Sequence, residues 1–157
     1  MQPPRPPSRQ QRAVAEATAR EHTALLEAIH RLEAALTSPV PRREAAWRDR
    51  VRQELAQVLA KLEEHCAAAE RPGGLVAELE AAQGRLPELR LAAEEHRTLP
   101  EAVQGLLACL QQPDARPPGH GELRRELASL MNRLRAHQAR EADLIFDAFW
   151  LDIGAGD

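Results

Sequence analysis

The most constraining feature of the chain is a leucine seam that stops and then resumes. Leu123, Leu127, Leu130 and Leu134 step by four and three residues, the spacing that keeps side chains on one face of a helix. Leu144 and Ala148 continue the step, but the two seam positions between are His137 and Glu141. Burying an unpaired carboxylate costs several kcal/mol or more, so this pair demands an interior partner.

Three further stretches carry the same period. The spacing predicts a helix over about Arg9–Leu36 with Leu25, Leu26, Ile29, Leu32 and Leu36 inward. A second runs over about Arg43–Glu70 on the seam Val51, Leu55, Val58, Leu62, His65 and Ala69. A third, about Leu86–Leu110, aligns Leu86, Leu89, Ala93, His96, Val103, Leu107 and Leu110; the interrupted seam belongs to a fourth, about Glu122–Trp150. "TSPVP" and "RPGG" end the first two helices, a short helical turn is expected over Leu75–Ala82, and "QQPDARPPGHG" reads as a loop. Pro100 removes a hydrogen bond to the His96 carbonyl, and "TLPE" resembles a capping box; a break is the alternative there and a kink is favoured. Four long amphipathic helices with short connections predict an all-α, antiparallel up-down four-helix bundle over residues 9–157. Residues 1–8, rich in proline, are expected to form a disordered tail, and "DIGAGD" cannot remain helical.

Composition agrees and removes several function classes. Aromatic residues are 3% of the chain and tyrosine is absent, which favours helices over a sheet core. A net charge of −3 with mixed signs does not suggest a nucleic-acid surface. No apolar run reaches the length of a membrane span, the first residues lack the apolar core of a secretory signal, and Cys66 and Cys109 make no disulfide framework. The expected setting is cytoplasmic.

The chain also repeats itself. "EHTALLEAI" from Glu21 aligns without gaps to "EHRTLPEAV" from Glu95, which pairs His22 with His96. "LEEHCAAA" from Leu62 aligns to "LRAHQARE" from Leu134, which pairs His65 with His137 and Ala69 with Glu141. Two helical hairpins, each with a histidine on either helix, would aim four imidazoles and one carboxylate inward. Bundles hold metal ions this way, and imidazole with carboxylate suits iron, zinc or manganese. The candidate ligands are His22, His65, His96, His137 and Glu141.

These residues resemble the hemerythrin-like, or His-His-Glu cation-binding, family over about Glu21 to Asp157. The resemblance rests on "EH..L" in helices 1 and 3, "LEEHCAAAERPGGL" in helix 2, and "H...E" in helix 4. It implies an up-down bundle holding non-haem iron, usually a di-iron centre, and a role in binding or sensing dioxygen, nitric oxide or iron, or in handling peroxide. Two positions depart from the family pattern. Ala69 stands where a bridging Glu is usual, and Pro100 where many oxygen carriers have a second His. The expectation is therefore an incomplete site for one or two iron ions.

The competing reading is a metal-free, degenerate bundle that serves as a protein-interaction module. Other polar residues have plainer explanations: His30 on a helix flank, His120 in a loop, Cys66 as a small buried hydrophobe, and Glu63, Glu64 and Glu70 as a solvated face that Glu70 could leave if the last turn unwinds. Phe146, Phe149 and Trp150 are expected to pack as a lid. No nucleophile–base triad, phosphate-binding glycine loop or zinc-ribbon cysteine pair is present, so binding or sensing is favoured over catalysis.

Overall fold

The computed structural model describes residues 5–38, 44–82, 85–111 and 120–151. The extreme N-terminus, most of "SPVP", the loop at 112–119 and "DIGAGD" lie outside the described residues. Among the described residues all regular structure is helical: α1 (Arg9–Thr37), α2 (Glu44–Glu70), α3 (Leu75–Ala81), α4 (Leu86–Gln111) and α5 (His120–Phe149). No helix among these residues is long and apolar enough to cross a membrane.

Local chemistry accounts for the ends. Ser8 and Gln11 form a reciprocal capping box at the start of α1, each side chain accepting the other's backbone N–H, at 3.0 and 2.8 Å. After α2 the chain reverses through Gly73, whose φ of +74° suits glycine alone without strain. At Gly74 a Cβ would lie 2.4 Å from the Ala68 carbonyl oxygen, so the turn onto α3 requires that residue too.

The four long helices pack α1 on α2, α2 on α4, α4 on α5 and α5 on α1, and α3 caps one end. Gln10 near the start of α1 donates to the Gly73 carbonyl just beyond α2, while Trp47 near the start of α2 donates to the Ala35 carbonyl late in α1. Arg85 and Asp147 pair the start of α4 with the end of α5.

The interior consists of two apolar clusters. The larger includes Leu25, Ile29, Leu32, Leu55, Leu62, Leu99, Leu127 and Leu134; the smaller gathers Ala69, Leu75, Leu79, Leu89, Ala92, Leu144 and Phe149. Each seam passes from one cluster to the other through a polar residue: Leu62–His65–Ala69 on α2, Leu99–His96–Ala92 on α4, and Leu134–His137–Leu144 on α5. A polar layer thus crosses an otherwise largely apolar core.

Several expectations need correction. No break occurs at Pro100; α4 runs through it as one helix. Leu99 and Val103, fully buried on either side of the proline, hold both halves against the same core, and that packing outweighs one lost backbone bond. The α4 seam follows Leu89, Ala92, His96, Leu99 and Val103, leaving Leu86 exposed at the first helical position and Ala93 only half-buried. His120 opens α5 instead of closing the loop. Of the expected lid only Phe149 is buried; Phe146 and Trp150 are exposed, with the Trp150 ring 6.1 Å from that of Phe149.

Candidate metal centre

His65, His96, His137 and Glu141 are buried, and one nitrogen or oxygen of each lies within 4.8 Å of the same atom on every other. The imidazole centroids are 5.3 Å apart for His65–His96, 5.9 Å for His65–His137 and 5.0 Å for His96–His137. His22 joins at the edge, its ring 5.3 Å from that of His65. All five sequence candidates therefore share one region, with three helices supplying the inner four and α1 the fifth.

Glu141 is the hub. Its Oε1 lies 2.7 Å from His65 Nε2, 2.7 Å from His137 Nε2 and 3.3 Å from His22 Nε2. Its Oε2 lies 3.0 Å from His65 Nε2 and 3.3 Å from His96 Nε2. Burial alone would raise the carboxyl pKa, but contact with the imidazoles of His137, His22, His65 and His96 outweighs it and holds Glu141 well below the ordinary carboxylate range.

The far nitrogens are engaged as well. His65 Nδ1 donates to Glu21 at 2.8 Å, His96 Nδ1 to Glu70 at 2.7 Å, and His137 Nδ1 to Glu95 at 3.2 Å. Arg140 in turn pairs with Glu95. These contacts set ring orientation and place the Nδ1 proton, leaving Nε2 as the inward donor. Sequence reading missed Glu21 and Glu95, although both sit in the repeated "EH" dipeptide. The repeat works crosswise: the Glu of each hairpin's first helix holds the His of its second. Glu70 was assigned to the solvated face and is indeed exposed, yet it reaches His96 with α2 intact, because α4 packs beside that flank.

Two of the rings titrate above the ordinary imidazole range. Burial would depress the pKa of His65, but Glu141 and Glu21 on its two nitrogens outweigh burial and raise it to about 9. The His96 pKa is also raised, burial again being overcome by Glu141 and Glu70. His137 Nε2 differs. It lies 2.7 Å from Glu141 Oε1 but outside hydrogen-bonding geometry, and it has no hydrogen-bond partner among the described residues.

The spacing between Glu141 and the imidazoles is compatible with an ion. Two donors at about 2.1 Å from one metal and at right angles are about 3 Å apart, within the range of the separations around Glu141. All the inner donors are imidazole or carboxylate, a set that takes iron, zinc or manganese without a thiolate. Cys66, next to His65, belongs to the larger apolar cluster, and burial together with the charges of Glu141, Glu70 and Glu63 pushes its thiol up to about 12. It is a packing residue. His30 is exposed, as expected.

No family model matches this chain, and no curated protein or solved structure matches it.

Proposed function

We propose that the chain is a hemerythrin-like, non-haem metal-binding bundle, with its four long helices antiparallel in up-down order and one iron ion held by His65, His96, His137 and Glu141. The pairing of Gln10 with Gly73, Trp47 with Ala35, Glu70 with His96 and Gln104 with Glu63 supports alternating helix directions. The observation that carries the metal reading is the buried group of His65, His96, His137 and Glu141, whose ligand atoms lie within 4.8 Å of one another and whose outer imidazole nitrogens are already fixed by Glu21, Glu70 and Glu95. When bound, the ion supplies a Lewis-acidic, redox-capable centre for a small ligand. The role we assign is sensing or handling dioxygen, nitric oxide, peroxide or iron itself. The protein orients the donors through Glu21, Glu70 and Glu95 and excludes water with the two apolar clusters.

Metal analysis of the protein purified from iron-supplemented cells, beside His137→Ala, tests this. About one iron per chain in the parent and a clear loss in the variant is the expected result. A metal-free parent that also binds no added iron(II), zinc or manganese would overturn it. The second reading, a metal-free interaction module, would then stand, since Glu141 already meets several imidazoles without an ion.

A further inference from the structure

The two hairpins are related residue by residue around the centre, and the relation fails at one place. Glu21 holds His65 Nδ1 as Glu95 holds His137 Nδ1. By the same alignment His96 corresponds to His22, and Glu70, which holds His96 Nδ1, corresponds to Ala142. The pair Ala69–Glu70 on α2 is inverted to Glu141–Ala142 on α5: one hairpin puts its carboxylate inside and the other puts it on the flank. Burial follows the alignment, since Ala69 and Glu141 are buried while Glu70 and Ala142 are exposed.

The consequence falls on His22. An alanine at position 142 cannot accept from its Nδ1, and among the described residues no carboxylate does. Among the described residues, its single side-chain hydrogen bond is the 3.3 Å contact from Nε2 to Glu141 Oε1. Its side chain is 17% exposed, against 1–3% for the side chains of His65, His96 and His137. Three imidazoles are buried and clamped from behind; the fourth is neither.

We infer that His22 is the displaceable arm of the centre: it borders an open position on an ion held by the other four donors and hydrogen-bonds a small acceptor ligand bound there. This rests on the metal reading above. A four-donor set leaves iron or cobalt room for an added ligand. That position faces His22 because it is the edge of the cluster nearest solvent and the one side without a clamped donor. The ligand class is small and carries a hydrogen-bond acceptor, such as azide or water, since an imidazole N–H can donate to it.

The test uses the full chain, cobalt(II) as the metal probe and azide as the ligand probe, with visible absorption reading both. His22→Ala and His22→Gln should each still take up one cobalt per chain, with affinity lowered about tenfold at most, the cost of losing a partner of the ligand Glu141. His65→Ala should lose cobalt at least a hundredfold. Azide should bind cobalt-loaded His22→Ala about tenfold or more weaker than the parent, the size of a lost hydrogen bond to a charged group. His22→Gln, which keeps a donor, should recover part of that loss and decides the matter if the alanine variant fails to fold. A collapse of cobalt binding in both His22 variants, equal to that of His65→Ala, would make His22 an ordinary ligand and overturn the inference while leaving the metal reading intact. Unchanged azide affinity in both would also overturn it. A parent that binds no cobalt would overturn both.

Discussion

Glu21 is the sequence neighbour of His22, yet its carboxylate accepts the Nδ1 proton of His65, 44 residues away on the next helix, at 2.8 Å. Glu95 does the same for His137 at 3.2 Å. The repeated "EH" therefore encodes two jobs on adjacent residues. A helix advances about 100° per residue, so one of the pair faces the centre and the other faces the neighbouring helix.

Removing either outer carboxylate should weaken the metal without removing a ligand. Glu21→Gln and Glu95→Gln are each expected to lower metal affinity about 10- to 100-fold, the usual cost of losing such a partner, with stoichiometry unchanged. Competition against a chromophoric chelator measures this. Parent-like affinity in both variants would mean that the rings are held by packing alone.

How much of this was legible beforehand depends on what each residue type signals. The helical period, the seam histidines and Glu141 are readable because an ionisable residue at an apolar phase is conspicuous. Glu21, Glu70 and Glu95 are not, because a glutamate one step off the seam resembles any solvated glutamate until the neighbouring helix is placed. Glu70 makes the point: it is exposed and still within 2.7 Å of His96. The absence of a break at Pro100 has a related reason, since a local rule about one hydrogen bond omits the burial of Leu99 and Val103 around it.

The two thiols should separate cleanly by reactivity. Cys66 is buried with its pKa pushed up to about 12, whereas Cys109 is exposed. The thiolate is the reactive form, so at pH 8 a thiol-directed chromogenic disulfide is expected to label one cysteine per native chain and two after denaturation. Rapid labelling of both in the native protein would show that the α2 seam opens near His65.

The metal-free protein should be most stable in a narrow acidic window. The His65 pKa is raised from 6.5 to about 9, so the stability this supplies is complete below pH 6.5 and lost as pH rises through about 9. Glu141 is lowered from 4.5, so its contribution is present above pH 4.5 and lost as pH falls through its depressed value. Urea unfolding with chelator present should show greatest stability at pH 4.5–6.5 and a decline towards pH 9 on the order of 3 kcal/mol. Saturating metal, which takes the place of the inner protons, should flatten that decline. A flat profile without metal would mean that His65 does not carry its proton in the fold.

The last prediction concerns Ala69, which corresponds by the repeat to Glu141 and lies buried one turn beyond His65. It belongs to the smaller apolar cluster with Leu75, Leu79 and Ala92, so a carboxylate there would enter a largely apolar environment. Ala69→Glu should therefore destabilise the metal-free protein by several kcal/mol, the cost of burying a charge without a full partner. With metal the balance should reverse. A second inner carboxylate adds a donor and a negative charge, and raises the number of divalent ions the layer can hold above that of the parent. Iron(II) titration under reducing conditions, paired with thermal melts with and without metal, separates the two effects. A variant that is less stable without metal, and binds more iron per chain, would establish that positions 69 and 141 face one site. Equal iron stoichiometry in the two proteins would mean that position 69 packs against α3 instead, and that the hairpin symmetry ends at the histidines.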